Sequence, residues 1–205
     1  MKKFTFLLPM IICAFVNAQQ TPKFRFIKEK HEHMEQDIRQ KCAEDIAKVT
    51  SVQAKHEMQI NCNKEIKQLK DNRNQEYLAE LMRIKNEGNN NVNAPGYVVS
   101  TIGEGDAKPE FPGGSAAFQK EIADNFDFTA VKENGEQKCI VVLTIEKDGS
   151  IRNVRAEGGN ENFNQQAEIA VYLIQNKWNP AISGGKPVAY EIKVPLTMTL
   201  PQIQP

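Results

Sequence analysis

Lys23 to Glu87 is a stretch of 65 residues without a glycine or a proline, and that absence restricts the chain more than any other feature. With nothing to break it, the stretch is expected to be helical, and Lys, Glu, Gln and Asn fill it as solvated helix positions do. Its apolar residues form a narrow stripe. Met34, Ile38, Cys42, Ile46, Val49 and Val52 step by four or three, and Ile66, Leu69, Tyr77, Leu81 and Ile84 continue it with a gap at Arg73. As one helix the run would reach roughly 100 Å at 1.5 Å per residue. Its heptads drift, so a regular coiled coil is not dictated. A stripe this thin needs a cover, either a second copy or the chain folded back on itself.

Thr50, Ser51 and Val52 are weak helix formers in a row, and Cys42 and Cys62 lie ten residues on either side of Val52. A hairpin turning there would set the two cysteines opposite each other. Three arrangements satisfy the pattern: a hairpin with a Cys42–Cys62 disulfide, one long helix with no intrachain bond, and two chains crosslinked through these thiols. His31, His33 and His56 all fall in this run. His31 and His33, two apart, point to different sides of a helix, unlike the four-residue spacing that grips zinc. All three are expected in solvent, and no metal site is expected.

Ahead of the helical run, Lys2 and Lys3 precede a mostly apolar stretch from Phe4 to Val16, followed by Asn17-Ala18 before Gln19. This is the pattern of a signal peptide over residues 1–18, with cleavage expected after Ala18 and the protein exported. The apolar core is shorter than the ~20 residues of a spanning helix, and Pro9 interrupts it. A retained leader and lipidation at Cys13 are the alternatives, the second disfavoured by the large Ile12 before it. Export lets thiols oxidise, and three cysteines would remain: Cys42, Cys62 and Cys139. None is spaced as C-x-x-C, so neither a redox motif nor a zinc knuckle is indicated. Basic and acidic residues balance at 26 each, so no net field favours nucleic acid.

Beyond Glu87 the pattern changes. Gly88-Asn89-Asn90-Asn91 stops the helix, and a glycine-dotted linker spans 88–105 with room for one short strand from Tyr97 to Ile102. Residues 106–200 read as a compact α+β domain. Phe111-Pro112-Gly113-Gly114 is a turn, and Ser115 is the expected cap of a helix over Ala116 to Asn125 that buries Phe118, Ile122 and Phe126. Cys139 to Ile145 is a strand covered on both faces or nearly so, with Cys139 as core filling. Asp148-Gly149 centres a turn into a return strand from Ile151 to about Glu157. A second helix, capped by Asn160 or Asn162, carries Phe163, Ala167, Ala170, Ile174 and Trp178 on one stripe and closes at Trp178-Asn179-Pro180.

After a turn at Gly184-Gly185-Lys186-Pro187 comes the clearest pattern in the chain. Val188, Tyr190, Ile192, Val194, Leu196, Met198 and Leu200 alternate with smaller or polar residues, one face buried and one wet. Pro195 cannot donate to a ladder, which puts this strand at an edge or gives it a bulge. The expected fold is a small antiparallel sheet with two helices, preceded by a long helix or a helical hairpin or coiled coil.

Pro109-x-Phe111-Pro112-Gly113-Gly114, a strand, Asp148-Gly149 followed by Ile151, a helix ending in Trp178-x-Pro180, and Gly185-Lys186-Pro187 before a last strand resemble the TonB C-terminal domain family. The resemblance covers about residues 106–200. It implies a periplasmic domain that captures an extended segment of an outer-membrane receptor by adding it as a strand at its sheet edge, a mode that an open row of N–H and C=O groups allows. The edge candidate is Tyr190 to Thr199, with Tyr190, Ile192, Val194, Leu196 and Thr197 as partner-binding positions. By correspondence Lys108, Pro109, Phe111 and Pro112 also lie near the receptor. The competing reading, that they only close the core, is the favoured one for Phe111 and Pro112, and Trp178 reads as core.

A family transducer needs a spanning helix and usually a proline-rich spacer. Here the leader looks cleavable and the spacer is a charged helical run. The expectation is therefore an exported interaction module whose helical region acts as spacer or dimeriser. An anchored energy transducer and an oligomeric cell-envelope scaffold are the alternatives. A proline at Ile192 is expected to abolish strand pairing without unfolding the domain. No enzyme and no cofactor are expected: the folded domain holds no histidine, no Ser/His/Asp or Cys/His set, and no glycine-rich phosphate loop after a strand.

Overall fold

The computed structural model describes residues 22–91 and 99–200. The leader with its cleavage point, Cys13, and the start of the expected strand at Tyr97 lie outside the described residues. Ser100 to Ile102, the end of that strand, form no strand.

The helical run folds back on itself. Helix α1 (Pro22–Lys48) and helix α2 (Val52–Asn91) are joined through Val49, Thr50 and Ser51, where the weak helix formers cluster. The Ser51 hydroxyl accepts from the Ala54 N–H at 3.4 Å and helps to start α2. A disulfide joins Cys42 and Cys62, whose Cα atoms are 6.2 Å apart. The observed arrangement is the closed hairpin, and neither the single long helix nor the interchain crosslink is seen.

The inward stripe differs from the expected one near the helix ends. Met34 is 44% exposed and Val52 83% exposed, whereas Phe24, Ile27 and His31 are buried. The solvated histidine expected at position 31 is thus corrected. Its four-residue step from Ile27 carries the ring to the inner face, and only 3% of it is exposed. There His31 Nε2 lies 3.0 Å from Glu76 Oε1, and Lys30 Nζ pairs with the same carboxylate at 2.6 Å. His33 and His56 are exposed.

In the second half, helix α3 (Gly114–Asn125) starts before the expected Ser115 cap. Gly113 takes the cap position at a φ of 82°, which only glycine adopts without strain, so Ser115 lies inside the helix. Phe118, Ile122 and the terminating Phe126 are buried. A short 3-10 turn (Phe128–Ala130) leads into strand β1 (Gly135–Ile145), followed by β2 (Ile151–Glu157). Helix α4 (Glu161–Tyr172) is capped by the Asn160 side chain, which accepts from the Asn162 N–H at 2.8 Å.

α4 ends at Tyr172, so Trp178 is not on the helix as the stripe implied. The chain leaves early because Trp178 is held elsewhere: its backbone N–H donates to the Gly149 carbonyl at 3.0 Å, and its ring packs edge-on to Phe111 and Phe118. Two short strands not expected from the sequence, β3 (Ala181–Ser183) and β4 (Lys186–Val188), form a ribbon around Gly184-Gly185. The last strand, β5 (Tyr190–Leu200), pairs antiparallel with β1 along its whole length. The sheet order is β2-β1-β5, which puts the proline-bearing strand at an edge.

Val141, Leu143 and Ile145 of β1 join Leu196, Met198 and Leu200 of β5 in one core with α3 and α4. On the opposite face Val142 and Thr144 are also buried. Arg155 of β2 and Glu191 of β5 pair across β1 at 3.2 Å on this side, roofing its residues with aliphatic stems.

The hairpin does not stand apart from this domain. Phe24, fully buried, stacks against Tyr77 and against Tyr172 of α4, with ring centroids 5.6 and 5.4 Å away. Polar ties surround this contact. Arg73 pairs with Asp127 at 2.9 Å, Gln166 donates to Asn74 at 2.6 Å, and Lys85 pairs with the buried Glu168 at 2.6 Å. Glu168 also accepts from the Ala156 N–H of β2 at 2.7 Å, so one carboxylate links α2, α4 and the sheet. The helical region, expected as spacer or dimeriser, is packed on the domain: the base of the hairpin shares the domain's core, because the apolar face of α4 opposite the sheet also needs cover.

Candidate functional site

Among the described residues β5 has β1 on one side and no strand on the other, so the site is built from its outer edge. Side chains alternate as expected: Leu196, Met198 and Leu200 are buried, while Lys193, Pro195, Thr197 and Thr199 are exposed. Backbone groups alternate too, because each residue of an antiparallel strand directs its N–H and C=O to the same neighbour.

Pro195 sets the phase of that alternation. It lies opposite Ile140 of β1 and has no N–H to exchange with it. Its carbonyl accepts from Gln119 Nε2 of α3 at 3.4 Å, from the side away from β1. The polar groups of Glu191, Lys193, Thr197 and Thr199 share this parity and face outward, while those of Tyr190, Ile192, Val194 and Leu196 face β1. Beside this row α3 and β5 form a groove of about 350 Å³, lined by Gln119, Ala123 and Pro195 through Met198.

The expected partner-binding residues distribute unevenly over this geometry. Thr197 is exposed and on the outward row. Tyr190, Ile192 and Val194 are half-buried, and Leu196 is 3% exposed. As these four face β1 through their backbones and the core through their side chains, they hold the edge in place more than they offer it. Lys108 and Pro112 are exposed and Pro109 is half-buried, but their segment is tied elsewhere: Glu110 bridges to Asn179 and Ala107 to Ile182.

Phe111 is 2% exposed and packs against Phe118 at a centroid distance of 5.1 Å, so of its two expected readings, core and partner contact, its side chain serves the core. Lys193 and Thr199 lie within the expected edge Tyr190 to Thr199 without being named as contacts, and Gln119 and Ala123 were not expected. Counting by twos from Pro195 would have found the first two, since a proline in an edge strand marks the unpaired side. No sequence signal places Gln119 and Ala123 beside β5.

The remaining chemistry is quiet. Cys139, the one cysteine outside the disulfide among the described residues, is buried. Burial, with a smaller push from Glu168, raises its thiol to about 11, so little thiolate exists at neutral pH. Among the described residues no group of three or more His, Cys, Asp or Glu is arranged to hold a metal, and no helix is long and apolar enough to cross a membrane.

Residues 129–200 match the family model described as Gram-negative bacterial TonB protein C-terminal. The match runs from the 3-10 turn through β5 and includes the whole edge strand, while α3 and the Phe111-Pro112 turn precede it. No curated protein matches the chain. Domains of this family are interaction and transport domains of the cell envelope that meet outer-membrane receptors, and they are not catalysts.

Proposed function

We propose that this chain, whose C-terminal domain is of the TonB C-terminal family, is an exported interaction module. It captures an extended segment of an outer-membrane or other envelope protein by adding it as a strand along β5. The observation that carries this reading is the outward row of Lys193, Thr197 and Thr199 beside the α3 groove. An extended peptide laid there satisfies backbone groups on both partners. Its alternate side chains enter the groove over Ala123, Leu196 and Met198. The leader at residues 1–18, cleaved after Ala18, delivers the protein to the periplasm, and the docked hairpin is a rigid platform behind the sheet.

The test uses the full mature chain and synthetic peptides enriched on it from a phage-displayed dodecamer library. Thr197→Pro removes an outward donor and leaves the ladder to β1 intact. Peptide affinity is expected to fall at least about tenfold while far-UV circular dichroism stays unchanged. Full binding by this variant would overturn strand addition at β5. Ile192, expected from the sequence to serve for this substitution, is the wrong position: its N–H faces β1, and a proline there would break the sheet itself. Intact mass on the native protein checks export, and a full-length species held in the membrane fraction would point to an anchored transducer instead.

A further inference from the structure

The added strand meets a fault at the middle of its template. Along the outward row the N–H groups of Lys193 and Thr197 flank Pro195, which has none. A partner carbonyl facing that position finds no backbone donor, and covering it without one weakens binding. Gln119 stands at this gap. It is exposed on α3, and its backbone is held by Phe118 beside it and Ile122 one turn on, both fully buried. Its Nε2 reaches the Pro195 carbonyl at 3.4 Å, long for such a bond.

We infer that the Gln119 carboxamide supplies the hydrogen-bond donor that Pro195 lacks, completing the ladder between β5 and the captured segment. This rests on strand addition at β5 and names the residue that sets how the partner aligns there. An arriving strand brings its own N–H to the Pro195 carbonyl in better geometry than the 3.4 Å contact. The carboxamide carries two N–H donors on one nitrogen, and these then turn to the partner carbonyl that the proline leaves unserved. A captured segment therefore pairs continuously across Lys193 to Thr199, in one register centred on Pro195.

A double-mutant cycle on the full mature chain tests this, with the phage-selected peptides as probe and affinity read by fluorescence anisotropy. Gln119→Ala should weaken binding about fivefold to tenfold. Gln119→Glu, which keeps the size and loses the N–H donors, should do the same. Pro195→Ala restores a backbone donor, and in that background Gln119→Ala should cost less than about twofold. Equal losses in the two backgrounds, or no loss from Gln119→Ala alone, would overturn the inference. Both outcomes are separable from failure of strand addition, which shows as unchanged binding in Thr197→Pro.

Discussion

Gly149 shows how much one residue of the loop between β1 and β2 carries. It holds a φ of +80°, and a Cβ there would fall 2.1 Å from the Trp178 carbonyl oxygen. The glycine was legible in Asp148-Gly149 as turn chemistry. The reason it cannot change was not, because the obstacle is backbone from a segment after α4. Gly149→Ala combines left-handed strain with a backbone clash and should lower stability by roughly 2 kcal/mol or more. The denaturant midpoint measures this, and an unchanged midpoint would mean that Trp178 is not held against the turn. Pro195 was more fully readable: its missing N–H already required an edge or a bulge, and the sheet order makes it an edge. His31, expected in solvent, lies one helical turn beyond the buried Ile27, and position governs burial here.

The hairpin is half docked and half projecting. Its base carries Phe24, Ile27, Tyr77 and Leu81 in the shared core, whereas the part beyond the disulfide buries little. The disulfide closes a separation of 20 residues, and loop closure of that size contributes roughly 3 kcal/mol against the unfolded chain. Replacing both cysteines with serine should speed amide exchange across residues 43–61 and leave the docked residues 24–31 protected. Equal loosening of both regions would mean that the hairpin folds as one unit with the domain. Helix α4 shows the limit of periodicity at this scale. A stripe from Phe163 to Trp178 satisfies helical spacing throughout, yet the helix stops at Tyr172, because a tertiary anchor for Trp178 competes with continuing the helix to that position.

At the scale of the molecule, ionised carboxylates support both the hairpin, at Glu76, and its contact with the domain, at Asp127. Burial raises the Asp127 carboxyl, but hydrogen bonds from Thr129 and Arg73 outweigh it and hold the group below its usual range. Lys30 chiefly, with His31, lowers Glu76 within the hairpin. A carboxyl whose folded value is depressed contributes its stability above the unfolded value, about 4. That contribution is lost as pH falls through the folded value. Stability should therefore fall between about pH 5 and pH 2. Asp127→Asn should be less stable at neutral pH and show a shallower acid loss. Parallel curves for the two proteins would remove Asp127 from the account.

The sequence alone determined what short-range period encodes: an unbroken helical run with a weak point near Thr50, an alternating last strand, and a proline that requires an edge or a bulge in that strand. Only the tertiary structure decided that the hairpin docks through Phe24 onto Tyr172, that Trp178 leaves its helix for Gly149, and that Gln119 stands beside Pro195. Each joins segments far apart in the chain, and their contacts depend on how shapes fit after folding. Helical and strand periods report which side of an element is apolar, not which distant surface will cover it.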